Sequence, residues 1–172
     1  LHLLVREHGL DLSSPALSAV VADRASDPLF GSMAVRTPEG HLSFVYKAAA
    51  EIGELGDNTR ALRAAIMSDP LLRQALGAPQ GEAVVLGHTR WASVGIISQP
   101  NAHPLNSDEI DDEAGAYVTA VLNGDVDNFA DLKAAQALHI ADEITTDAKV
   151  IPTLTSRCLL YTSPSPRDQR GS

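Results

Sequence analysis

The stretch Gly31 to Ala48, GSMAVRTPEGHLSFVYKA, constrains the fold most. Two apolar-rich runs, SMAVR and LSFVYKA, flank TPEGH, where a Pro and a Gly stand as a hairpin turn requires. Helical patterns surround this hairpin. Asp57 has the chemistry of an N-cap, and Leu62, Ala65 and Ile66 fall on one face of the helix it would open. Ser68 is placed to cap a second short helix, with Pro70 in its first turn and Gly77 closing it. Leu17 to Ser26 fits a helix or a buried strand. Glu82 to His88 reads as a strand whose continuous apolar core predicts burial on both faces. Ala116 to Gly124 reads as a strand ending in Asn-Gly, followed by a helix with Asp127 as N-cap. The segment from Glu143 begins as a short strand, after which Thr145 or Thr146 caps a helix carrying Asp147 in its first turn. Hairpin strands with helices grouped before and after suit an α+β layered domain better than strict βαβ alternation.

A chain of 172 residues, 44% hydrophobic and 20% charged, is sized for one domain with a real core. Its net charge of −9 argues against nucleic acid or an anionic membrane surface as partner. No apolar run approaches the ~20 residues of a bilayer span, and LHLLVREHGLDL mixes charges into its apolar residues, unlike a secretory signal. A single cysteine suits a reducing cytosol. The Leu1 start reads as that of a fragment. From Cys158 to Ser172 the apolar periodicity stops, and CLLYTSPSPRD resembles a translated sequencing adapter, so the expected genuine segment is 1–157 and the rest a non-native tail.

The chemistry gathers in the loops. Arg90 and Trp91 directly follow a strand pattern; an arginine fork can hold a carboxylate bidentately while an indole walls off water, or the pair can be a surface arginine lying over a part-buried ring. His103, in NAHPL, is a site candidate or a hydrogen-bonded structural histidine. Asn123-Gly124 can be a hairpin turn or, because a helix pattern follows, a pair of donors aimed at one oxyanion. Asp147 can help a helix N-terminus or hold a substrate ammonium. His88 and His103, fifteen apart and without a thiolate or a His-x-x-x-His spacing, make a poor metal site, and no phosphate-binding glycine loop is present. A carboxylate holder, an ammonium holder and an oxyanion pair together describe an amino-acid site set for acyl transfer, without its nucleophile.

Three blocks in order, GHTRWAS…NAHP, LNGDVDN…LK and TTDAKVI, resemble the glutaminase domain of the class II glutamine amidotransferases, which are N-terminal-nucleophile hydrolases. The resemblance covers about Gly31 to Arg157 and is sharpest from Leu86 on; its Thr-Arg-Trp-Ala and Asn-Ala-His-Pro wording is most like the glutamine–fructose-6-phosphate aminotransferases. It implies that Arg90 binds the glutamine α-carboxylate with Trp91 beside it, that His103 belongs to the same glutamine-site segment, and that Asp147 binds the α-amino group. It also implies that Asn123 and Gly124 form the oxyanion hole. The family nucleophile is an N-terminal cysteine whose own α-amine acts as base; Cys158 does not match it. Val94 stands where the family has a histidine or similar residue, and the segments around Asp57–Gly81 and Asn106–Tyr117 are longer than usual, which points to a divergent relative. The implied fold is a four-layer αββα sandwich. The implied activity is release of ammonia from glutamine for transfer, by sugar-isomerase domains outside this chain, to fructose 6-phosphate, giving glucosamine 6-phosphate. Amidophosphoribosyltransferase, asparagine synthetase and a nucleophile-less binding module are the rival readings. A cytoplasmic, homo-oligomeric enzyme without a cofactor completes the expectation.

Overall fold

The computed structural model describes residues 1–6, 10–11, 13–24, 32–38, 40–50, 54–77, 81–89, 95–110 and 115–162. Strands β1 (His2–Arg6), β2 (Ala34–Arg36), β3 (His41–Val45) and β4 (Ala83–Leu86) form one antiparallel sheet in the order β2-β3-β1-β4. The β2–β3 pair is the hairpin of the sequence reading, with Ala34 opposite Val45 and Arg36 opposite Ser43. Leu3 and Val5 of β1 face Phe44 and Leu42 of β3, so one sheet face is a continuous apolar layer. Helices α1 (Pro15–Arg24), α2 (Asp57–Ser68) and α3 (Pro70–Leu76) cover that face. Leu71, Leu72 and Ala75 of α3 are buried in it, and Leu62, Ala65 and Ile66 of α2 pack against it, as their spacing predicts. The ambiguous Leu17 to Ser26 run is helical as far as Arg24 and lies outside the described residues beyond it. Pro15 opens the helix, and the Ser14 hydroxyl accepts the Leu17 N–H at 3.3 Å.

The helix caps depart from expectation by single residues. Gly56, at φ 96°, is the N-cap of α2, and Asp57 is its first residue. The Asp57 carboxylate instead turns back to the Glu54 N–H at 2.6 Å and pairs with Arg60. Asp69, not Ser68, caps α3. Only this residue separates α2 from α3, so its carboxylate has the shorter reach to the Leu71 and Leu72 N–H groups, at 3.0 and 3.2 Å. The same carboxylate accepts two bonds from the Arg24 guanidinium, at 3.1 and 2.7 Å, and one from the Tyr46 hydroxyl at 2.6 Å. Burial pushes the Asp69 carboxyl up, but these donors outweigh it and hold the group below the ordinary carboxylate value. The strand β4 is an edge strand with Val84 70% and Val85 56% exposed, which overturns the expected burial on both faces. An apolar run signals two-faced burial only where layers cover both faces, and among the described residues neither Val84 nor Val85 packs against the core.

Beyond β4 the chain becomes loop-rich. A two-stranded antiparallel sheet joins β5 (Leu105–Asn106) and β6 (Thr119–Ala120), which is all that the Ala116–Gly124 run contributes as strand. Helix α4 (Phe129–Ala135) has Asn128 rather than Asp127 at its N-cap, with no side-chain bond. A 3-10 turn, Asp147–Lys149, leads into α5 (Val150–Thr162). The stretch before that turn is not a strand, because the N–H groups of Thr145 and Thr146 donate to the Asn101 side chain instead of a neighbouring strand. Leu138, Ile140, Ala141, Ile144 and Val150 form a second apolar cluster. α5 runs past Arg157, with Cys158, Leu159 and Leu160 exposed. No helix among the described residues is long and apolar enough to cross a membrane.

Candidate functional site

The three motif blocks meet around one irregular segment, Ile144 to Lys149. Arg90, Trp91 and Val94 lie outside the described residues. The first block is described again from Gly95, whose φ is +87°. A Cβ there would meet Thr145 Oγ1 at 3.0 Å and the Thr146 nitrogen at 3.1 Å, so both the backbone angle and the close approach call for glycine. Ile96 N–H donates to Thr145 Oγ1 at 3.3 Å. Asn101 then fastens the block. Its side-chain oxygen accepts the Thr145 and Thr146 N–H groups at 2.8 and 2.9 Å, and its amide donates to Ser98 Oγ and Thr145 Oγ1 at 2.9 and 3.1 Å. Asn101 is fully buried, and sequence reasoning passed over it. The available signal was a short amide in a loop without regular backbone pairing, where such side chains substitute for backbone partners. Beside Asn101 lies a cleft of 170 Å³ bounded by Ala49, Ala50, Asn58, Ile96, Ile97 and Ser98 among others.

His103 is buried and precedes a cis peptide bond to Pro104. Its ring lies on that of His88, with centroids 4.6 Å apart and planes tilted by 32°. Two residues fifteen apart in sequence thus join the end of β4 to the NAHP loop. No group of three His, Cys, Asp or Glu side chains among the described residues is placed to hold a metal.

Asp147 is 2% exposed. It does not cap its own turn: Thr146 is the N-cap, without a side-chain bond to the turn. Its carboxylate accepts the Val126 N–H at 2.5 Å and the Thr146 hydroxyl at 3.3 Å. Val126 is two residues past Gly124, so Asp147 holds the chain that leaves the Asn123-Gly124 bend. That bend is exposed and is followed by α4, so it is not the turn of a hairpin. Among the described residues, a Cβ on Gly124 would approach only Leu122 Cδ1, at 3.9 Å.

Lys149, at the other end of the 3-10 turn, is 1% exposed. Its ammonium donates to Asn106 O at 2.6 Å, Asn106 Oδ1 at 3.0 Å and Asp108 O at 2.7 Å. Burial lowers its pKa to about 8; Asp108 and Glu109 oppose the shift, and Lys47 and Arg36 add to it. Asp108 is paired with Arg36, which also lies 4.1 Å over the Tyr117 ring, and Glu109 is paired with Arg157 at 2.8 Å.

No family model matches the chain, and no solved structure matches it. Curated glutamine–fructose-6-phosphate aminotransferases (isomerizing) do. The Chlamydia pneumoniae protein is 30% identical over 129 residues, 67% of this chain and 20% of that protein. The Symbiobacterium thermophilum protein is 40% identical over 83 residues, 46% of the chain and 12% of the relative. The Thermus thermophilus protein is 35% identical over 103 residues, 60% of the chain and 13% of the relative. The matched stretches span a fifth or less of these relatives' length. By these matches the chain is related to the glutamine–fructose-6-phosphate aminotransferases.

Proposed function

We propose that this chain is the glutamine-binding and amide-cleaving part of a class II glutamine amidotransferase, and that the four-layer αββα sandwich is its architecture. The observation that carries the reading is the bond from Val126 N–H to the Asp147 carboxylate, which joins the LNGDVDN and TTDAKVI blocks in one site. Asn101 and Gly95 bring the first block to the same segment. For the architecture, the support is an antiparallel sheet with three helices on one face.

In this reading Asp147 holds the α-ammonium of glutamine and Arg90 its α-carboxylate, with Trp91 and His103 in the wall. A carboxylate can accept about four hydrogen bonds, and among the described residues Asp147 accepts two, from Val126 and Thr146. Asn123 and Gly124 donate to the side-chain carbonyl oxygen as an N-terminal cysteine thiolate attacks the amide carbon. The C–N bond breaks, ammonia leaves with the transferred proton, and water then cleaves the thioester to glutamate. Cys158, the sole thiol of the chain, lies exposed on α5 and has no part in this reaction. The names of the relatives support fructose 6-phosphate as acceptor, with glucosamine 6-phosphate as product, in domains outside these residues. A cytoplasmic, homo-oligomeric enzyme free of cofactor belongs to the same proposal.

Glutamate release separates the possibilities. The 172-residue chain binds glutamine but releases no glutamate above background, and a form that begins with the nucleophilic cysteine turns over. In that form Asp147→Asn and Arg90→Lys raise KM, because the groups they hold do not change charge during attack. Asn123→Ala lowers kcat by ~10²–10³ with little effect on KM. If Arg90→Lys leaves KM untouched while Asn123→Ala leaves kcat untouched, the assignment is wrong.

A further inference from the structure

We propose that Lys149 is the positioning residue of this site: its buried ammonium ties the turn carrying Asp147 to Asn106 and Asp108, and so fixes where the Asp147 carboxylate meets the Asn123-Gly124 loop. The inference rests on the glutamine reading only for what Asp147 holds.

The geometry is complete in the hydrogen-bonding sense. An ammonium has three donors, and Lys149 Nζ has three oxygen partners between 2.6 and 3.0 Å, two of them backbone carbonyls. None is a carboxylate. Asp108 and Glu109, the acidic neighbours, are engaged by Arg36 and Arg157, and Lys47 and Arg36 face the group with like charge. Burying a cation without a contact anion is costly, and an apolar side chain of similar volume would fill the space more cheaply. What an apolar side chain cannot do is hold three oxygens from Asn106 and Asp108 at fixed distances from the turn.

The turn is fastened on both sides of Asp147. Upstream, Asn101 receives Thr145 and Thr146. Downstream, Lys149 grips the end of β5 and the residue two beyond it, and its own carbonyl accepts the Thr153 hydroxyl at 2.9 Å, locking the turn to α5. Between these fastenings the Asp147 carboxylate accepts one backbone N–H among the described residues, that of Val126. Removal of the Lys149 ammonium severs the turn from Asn106 and Asp108 while its tie to α5 remains, and the carboxylate is free to drift from Val126.

The first measurement needs no variant. In ¹⁵N and ¹³C spectra of the 172-residue chain from about pH 7 to 10, the Lys149 Cε resonance titrates, and the Val126 amide follows it with the same midpoint. A Val126 amide that stays flat while Lys149 titrates overturns the proposal. The second is calorimetric titration with L-glutamine. Lys149→Met weakens binding by about 10-fold, and Lys149→Met combined with Asp147→Asn is no weaker than Asp147→Asn alone, because both act through one carboxylate. Glutamine binding that is lost in Asp147→Asn but intact in Lys149→Met also overturns it. If the unmodified chain fails to bind glutamine while Val126 still follows Lys149, the glutamine reading falls and the positioning role stands.

Discussion

The sheet half and the loop half of this molecule are held together by different physics. In the first, Leu3, Val5, Val35, Leu42, Phe44 and Tyr46 meet Leu71, Leu72 and Ala75 across a regular interface. Backbone polar groups there are used up by strand and helix pairing, so apolar contact carries the stability. In the second, the described residues from Gly95 to Lys149 form two two-residue strands, one short α-helix and a 3-10 turn. Its irregular backbone has few regular partners, and buried side chains supply them: Asn101, Asp147, Lys149, and Ser107, which accepts Val118 N–H and donates to Ala116 O. The described residues of the candidate site, His103, Asn123, Gly124 and Asp147, lie in this second half. A binding site needs donors and acceptors at irregular angles, and a backbone fastened by side chains can present them where a strand cannot.

The contrast breaks most readily at its apolar end. Phe44→Ala empties the centre of the sheet core, where Phe44 is fully buried, and is expected to cost about 3–5 kcal/mol of unfolding free energy. Asn101→Ala leaves the Thr145 and Thr146 N–H groups without their acceptor, at about 1–3 kcal/mol. Hydrogen exchange gives the sharper difference. Asn101→Ala should expose the Thr145 and Thr146 amides selectively, whereas Phe44→Ala should raise exchange throughout the sheet. Uniform exchange in both variants would mean that the two halves are one cooperative unit.

A buried charge in each half responds to pH, and both make stability rise with pH, Asp69 at the acid end and Lys149 at the alkaline end. The folded-state pKa of Asp69 lies below its unfolded value of 3.8, so its contribution is present above that value and is lost as pH falls through the folded pKa. Lys149 falls from 10.5 to about 8 on folding. Between those values the unfolded chain binds more protons, so this group makes stability rise with pH, by up to about 3 kcal/mol. Urea titrations from about pH 3 to 10 should show a loss at the acid end that Asp69→Asn flattens, and a gain above about pH 8 that Lys149→Met removes. A stability that falls from about pH 8 to 10 in the unmodified chain, and in Lys149→Met alike, would remove Lys149 from the account.

The sheet half was legible because its rules are local. Pro38 and Gly40 mark the β2–β3 turn, and the spacing of Leu62, Ala65 and Ile66 gives the packed face of α2. The caps slipped by one residue because Asp57, Ser68 and Asp69 all have capping side chains, and only the helix geometry chooses among them. In the loop half, the residues singled out by motif were Asn123, Gly124, His103 and Asp147; of the residues that hold the loops, Asn101 carries only the weak signal of a short amide in a loop, and Lys149 carries none. The Thr145 and Thr146 partners of Asn101 and the Asn106 and Asp108 partners of Lys149 are more than forty positions away in sequence, and no periodicity reaches that far. The His88–His103 contact was likewise hidden by a separation that reads as chance.

The smallest effect tests the open face of the sheet. Val84 pairs with Leu4 of β1 and lies on the face opposite the buried Leu3 and Val5. It is 70% exposed among the described residues. A lysine there can lay its methylenes along the sheet and keep its ammonium in water, so Val84→Lys should change stability by less than ~0.5 kcal/mol. A four-layer sandwich would make the opposite demand on this face, since a second sheet packed about 10 Å away would have to accommodate an ammonium in an apolar layer. Comparing Val84→Lys in the 172-residue chain and in a longer form carrying the nucleophilic cysteine therefore measures what covers the sheet. A loss above ~1.5 kcal/mol only in the longer form supports the sandwich; a loss in neither leaves β4 an open edge and argues against it.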